Sequence, residues 1–115
     1  MITGVHHIAV IASSEASIAF YARLGFRETC RIRRSSDTVV LLEHCGTELE
    51  VFIDPRHPPR AVEPENTGLR YLAFRVDDVR KAAEEYGGGS VQEDWHGKKY
   101  VFIHDPDGLP IQLHE

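Results

Sequence analysis

Four polar side chains of this 115-residue sequence stand where strand parity would gather them: His7, Glu50, Tyr71 and Gln112. An imidazole nitrogen and a carboxylate oxygen converging in one cleft could bind a divalent metal. Glu50 is also a group able to take and return a proton. The competing reading of His7, beside the apolar run Ile8–Ala12, is a half-buried histidine satisfied inside the fold.

Side chains alternate between the two faces of a strand. His7 then shares a face with Ala9 and Ile11, away from Ile8 and Val10. Tyr71, Ala73 and Arg75 oppose Leu72, Phe74 and Val76. Glu48, Glu50 and Phe52 oppose Leu49, Val51 and Ile53, and Gln112 and His114 oppose Ile111 and Leu113. Each of these strands offers one apolar face to a helix and a second, more polar face to a cleft.

The elements that must position these faces are repeated. VHHIAVIASSEASIAFYARLGF lines up with LRYLAFRVDDVRKAAEEYGGGS at an offset of 64, so His7 falls on Tyr71 and Ala9 on Ala73. Each copy reads strand, N-cap, helix, glycine. Ser13 or Ser14 and Asp77 are the expected caps, because their side-chain oxygens accept free helical N–H groups. Ile18, Phe20, Tyr21 and Leu24 would form one apolar helical face, and Val79, Ala82, Ala83 and Tyr86 the other. β-rich runs follow at about Glu28–Arg33, Thr38–Glu43, Thr47–Ile53, Ser90–Glu93, Lys99–His104 and Leu109–Leu113. His44-Cys45-Gly46 and Asp105-Pro106-Asp107-Gly108 read as turns, the second of type I. The fold class is therefore α+β, βαβββ twice, with mixed sheets around a cleft. Residues 1–115 form a single domain: module 1 is 1–53, a Pro-rich linker is 54–68, and module 2 is 69–115.

Composition narrows the partners. A net charge of -5 argues against a general nucleic-acid binder, which needs a basic face. No basic leader precedes an apolar run, and none reaches the roughly 20 residues of a membrane span, so a cytoplasmic protein with no membrane partner is expected. Cys30 and Cys45 lack C-x-x-C spacing and read as buried or half-buried thiols.

HHIAV at 6–10, FYARLGF at 20–26, LEVF at 49–52, GLRYLAFRVDD at 68–78 and DPDGLPIQL at 105–113 carry a resemblance along the whole chain. The sequence resembles the vicinal oxygen chelate superfamily of glyoxalases, bleomycin and fosfomycin resistance proteins, epimerases and extradiol dioxygenases. Its nearest likeness is to small bacterial lactoylglutathione lyase-like proteins. The resemblance implies the glyoxalase/bleomycin resistance fold, a homodimer, and a divalent metal (Zn, Ni, Mn or Fe) held from the first and last strand of each module. Carried over by position, the metal ligands are His7, Glu50 and Gln112, and the catalytic residues are Glu50 as base and Tyr71 as a hydrogen-bonding group. Tyr71 stands where the family has His, and Gln112 where it has Glu. A neutral phenol is a poor ligand, and a carboxamide cannot accept the proton, so weaker metal binding follows.

These departures rank the reactions. A dioxygenase needs a two-His-one-carboxylate iron site, of which little survives here. Fosfomycin-type thiol transfer falls with it. A glyoxalase-like metal-dependent lyase or isomerase acting on a small oxygen-chelating substrate stays first. The alternative is a metal-free protein of the bleomycin-resistance type that binds a small toxic molecule in a cleft lined by Phe52, Tyr71 and Trp95. Trp95, His96, Lys98 and Lys99 read either as a solvated loop or as one that lines the cleft mouth and meets an anionic substrate, and Arg75 as an anion contact or a rim ion pair. Arg31, Arg33 and Arg34 are spaced to put two on one strand face, near the cleft or solvated on the surface; His57 reads as exposed, and His44 and His104 receive no role.

Overall fold

Period-two burial sets the strands. A computed structural model describes residues 1–115, in two compact units, Met1–Pro59 and Arg60–Glu115, divided within the Pro-rich stretch. In the first, Val10 and Ala12 of β1 (Ile8–Ala12) are buried, with Val40 and Leu42 of β3 (Thr38–His44) and Leu49, Val51 and Ile53 of β4 (Thr47–Ile53). With β2 (Arg27–Arg33) they form a four-stranded sheet in the order β1-β4-β3-β2. The strand β1 runs parallel to β4; β3 is antiparallel to both β2 and β4. Helix α1 (Ala16–Arg23) joins β1 to β2, and its Tyr21 is fully buried, edge-to-face with Phe20 and Phe26.

The second unit repeats the plan. Strands β5 (Leu72–Arg75), β6 (Gln92–Glu93), β7 (Lys99–His104) and β8 (Pro110–His114) form a sheet in the order β5-β8-β7-β6. Helix α2 (Val79–Tyr86) buries Val79 and Ala82, with Ala83 and Tyr86 half-buried. The repeat extends to the hydrogen-bond register. Ile8 pairs with Leu49 and Ala9 with Glu50; Leu72 pairs with Ile111 and Ala73 with Gln112. The outcome is βαβββ twice, as expected. No helix is long and apolar enough to cross a membrane.

Turn chemistry explains the connections. Cys45 (φ 49°) and Gly46 (φ 77°) are both left-handed, as a two-residue type I′ hairpin requires. Asp105 is 4% exposed, and its Oδ1 accepts the N–H groups of Asp107 and Leu109 while its carbonyl accepts that of Gly108. That is the turn expected for DPDG. Gly25 must be glycine: its φ is 107°, and a Cβ there would stand 2.7 Å from the His44 ring.

Several local expectations are corrected. The N-cap of α1 is Glu15, with no side-chain cap bond, rather than Ser13 or Ser14; the Ser14 hydroxyl instead accepts the Ala16 N–H. The N-cap of α2 is Asp78, whose carboxylate accepts the Lys81 N–H, not Asp77. On α1 the buried residues are Ser17 and Tyr21, with Ile18, Phe20 and Leu24 half-buried. Both thiols are exposed, because Cys30 lies on edge strand β2 beside a register shift and Cys45 at a hairpin tip. His57 is half-buried, since its Nδ1 bonds the Ala12 carbonyl at 2.9 Å.

Candidate functional site

The open face of the first sheet carries the first pair of expected site residues. His7 lies one residue before β1, two before the Ala9 that pairs with Glu50. Side chains two apart share a face, so His7 and Glu50 meet: His7 Nε2 is 3.0 Å from Glu50 Oε2. Neither is deeply buried, at 38% and 27% side-chain exposure. The other His7 nitrogen, Nδ1, lies 2.9 Å from His6 Nδ1. Around the pair stand exposed Ala9 and Ile11 and half-buried Leu41 and Phe52.

Arg34 adds a cation to this face, the first of the two alternatives that the arginine spacing left open. Its guanidinium lies 5.5 Å from the centre of the Phe52 ring and makes two 2.6 Å bonds to Asp37. Those bonds hold its pKa above the ordinary value, with smaller electrostatic help from Asp37 and Glu50. Arg31 points elsewhere. It bonds Glu28 at 2.8 and 3.0 Å and Glu15 at 2.9 Å, tying β2 to the start of α1 rather than standing solvated. Those hydrogen bonds raise its pKa.

The second pair occupies the equivalent face of the second sheet. Tyr71 precedes β5 by one residue, and Gln112 lies in β8 opposite Ala73 and Phe102. Gln112 is 8% exposed, and its carboxamide can both donate and accept hydrogen bonds, as can the Tyr71 hydroxyl. The Tyr71 ring is edge-to-face with Phe102 at 5.0 Å.

A second His–carboxylate pair lies on this sheet, and sequence reasoning gave it no role. His114 Nε2 is 2.8 Å from Asp94 Oδ2, and its Nδ1 is 2.6 Å from the Glu115 carbonyl. The ring stacks on Tyr100 with centroids 6.0 Å apart and an interplanar angle of 6°. Asp94 also accepts the N–H groups of His96 and Lys98 through Oδ1. These bonds, with the Lys98 N–H foremost and His114 contributing, hold its carboxyl below the usual range. Parity had placed His114 beside Gln112; the loop contact to Asp94 had no signal in the sequence. Trp95 is 99% exposed and Arg75 is exposed.

The His7–Glu50 pair can be tested against a divalent ion by donor spacing alone. Zn–N and Zn–O bonds of roughly 2.0–2.2 Å at tetrahedral angles separate neighbouring donors by about 3.3–3.6 Å. The observed 3.0 Å is the spacing of a direct contact between the two groups, which would have to part by a few tenths of an ångström to share one ion. The Gln112 carboxamide offers a neutral oxygen, whereas the phenol of Tyr71 suits hydrogen bonding better than coordination. No third His, Cys, Asp or Glu joins the pair.

Comparison with known proteins identifies the family. Residues 4–113 match the family model described as the Glyoxalase/Bleomycin resistance protein/Dioxygenase superfamily. The chain is 37% identical over 126 residues to the uncharacterized protein YwkD of Bacillus subtilis (strain 168), covering 100% of this chain and 98% of that one. It is 39% identical over 122 residues to the uncharacterized protein YaeR of Escherichia coli (strain K12), covering 96% and 95%. A crystal structure of a glyoxalase family protein from Enterococcus faecalis superposes with a TM-score of 0.93 at 35% identity, over 99% of this chain and 98% of that one.

Proposed function

The chain belongs to the Glyoxalase/Bleomycin resistance protein/Dioxygenase superfamily, and on that premise we propose that it is a divalent-metal-dependent lyase or isomerase acting on a small substrate with adjacent oxygens. The observation that most supports this reading is the 3.0 Å approach of His7 Nε2 to Glu50 Oε2 on an open sheet face. In this reading His7, Glu50 and the Gln112 carboxamide oxygen hold a Zn, Ni, Mn or Fe ion. When bound, the ion supplies Lewis-acid polarisation of the substrate oxygens.

The protein's own groups do the remaining work. The Glu50 carboxylate removes a proton from a carbon next to a carbonyl and returns it to the adjacent position. The Tyr71 hydroxyl donates a hydrogen bond to a substrate oxygen. The Arg34 guanidinium lends positive charge beside Glu50. Tyr71 in place of a histidine argues against dioxygenase chemistry.

A second reading, metal-free binding of a small molecule, draws on the aromatic face of the second sheet, where Tyr71, Tyr100 and Phe102 interlock. Calorimetric titration of tag-free protein with nickel and zinc separates the two. About one ion per chain, lost in His7→Ala, supports the enzyme. No uptake at micromolar metal concentration sinks it and leaves the binding protein.

A further inference from the structure

We propose that the second unit takes a ligand with an uncharged planar aromatic ring bearing a polar group on its edge. The inference deepens the function above only in treating the open face of that unit as the substrate face; it does not need the metal.

A groove there is lined by Tyr71, Trp95, Tyr100, Phe102, Gln112 and His114 among others. Its rings are fixed before any ligand arrives. Tyr100 lies 5.9 Å from Phe102 and donates its hydroxyl hydrogen to Gln92 at 3.0 Å. His114 has both nitrogens engaged, so it offers the groove a flat ring and no free base. Rigid aromatic walls cost little entropy on binding and favour offset or edge-to-face contact with another ring.

Trp95 completes the groove. Its indole is 99% exposed, so it contributes nothing to the core. Its backbone is nevertheless anchored, because Asp94 bonds two N–H groups of its own loop with one oxygen and His114 with the other. An anchored hairpin thus presents a free indole at the groove.

Polarity and charge define the rest of the ligand. The Gln112 carboxamide, at 8% exposure, can both donate to and accept from one substituent, as can the Tyr71 hydroxyl. With its histidines neutral the groove is slightly acidic, since Arg60 and Arg70 stand against Glu65, Glu93 and Asp94. Arg70 is paired with Glu65, and Asp94 contacts His114. An acidic groove recruits no anion, so an uncharged ring fits better than an anionic one.

The test uses a matched pair of non-chelating amides, benzamide and cyclohexanecarboxamide, titrated calorimetrically into the full chain with and without nickel. The indole N–H of Trp95, the sole tryptophan, locates binding by NMR. Benzamide should bind about tenfold more tightly than its saturated counterpart and shift the Trp95 resonance. Trp95→Ala, at a fully exposed position, should weaken benzamide about fivefold with the fold intact. Equal affinity for the two amides, no binding of either at millimolar concentration, or binding that leaves Trp95 unmoved would each overturn the proposal. A benzamide preference in protein that takes no metal overturns the metalloenzyme and keeps the ring site. Metal bound through His7 with no preference between the amides does the reverse.

Discussion

The imidazole of His7 and the carboxylate of Glu50 meet at 3.0 Å because β1 and β4 run parallel in the register that sets Ala9 beside Glu50. Distant segments of the chain thus deliver two donors of different chemistry to one point. Neither side chain belongs to the core, and the packing behind them is complete without them: Leu49 and Val51, flanking Glu50, are fully buried. Changes at the pair should therefore alter binding far more than folding.

Glu50→Gln tests that separation. It keeps the shape and an oxygen donor but removes the charge. Loss of a partner that only orients a metal ligand costs about 10–100-fold in affinity, so loss of a direct anionic ligand should cost more than about 100-fold. Nickel titration measures it, and the melting temperature should barely move. An unchanged affinity would show that Glu50 is no ligand.

Tyr71→His with Gln112→Glu should raise divalent-metal affinity by at least about tenfold, by adding an imidazole nitrogen and an anionic oxygen. Without metal the same variant should lose about 1–3 kcal/mol, since residue 112 is 8% exposed and a carboxylate there is desolvated. Melting in chelator and in nickel should shift in opposite directions from the parent. A variant that binds metal no better removes Gln112 and Tyr71 from the site.

Acid stability should depend on Asp54. Hydrogen bonds from the Arg56 side chain and backbone N–H hold its pKa at about 2. The unfolded chain titrates this group near 3.9, so it binds the proton first as pH falls. The stabilisation is complete above about pH 4 and gone below about pH 2. Asp54→Asn should melt below the parent at neutral pH, with the two curves converging as pH falls through that window. Parallel curves would exclude the linkage.

Backbone conformation makes two opposite predictions. Gly25→Ala places a Cβ 2.7 Å from the His44 ring at φ 107° and should cost about 2–3 kcal/mol. Cys45→Gly relieves a side chain at φ 49° in a type I′ turn and should stabilise by about 1 kcal/mol. Urea denaturation of both variants gives the signs directly.

Much of the fold was legible because apolar and polar residues alternate along most of the strands. Leu49, Val51, Ile111 and Leu113 mark one face so plainly that the strands were placed to within a residue or two at most ends. The caps were off by one because acceptors stand side by side at Ser13-Ser14 and Asp77-Asp78, and the repeat slips between strand and helix: Ile8 matches Leu72, but α1 begins at Ala16 and α2 at Val79. His57 could not be read from its Pro-rich surroundings, because its partner is the carbonyl at the far end of β1. The Asp94–His114 pair was equally hidden, being a loop-to-strand contact with no local pattern.

The matched registers have a genetic consequence. Ala9–Glu50 and Ala73–Gln112 occupy corresponding rungs of two ladders, and Gln112 is flanked by Ile111 and Leu113, which pack to the other side. Codons for His and Tyr differ by one base, and so do codons for Glu and Gln. Each donor position is thus one nucleotide from its counterpart chemistry, and two point changes in one half of the gene would give both halves the same complement. The repeat gives this protein two independently editable copies of one instruction.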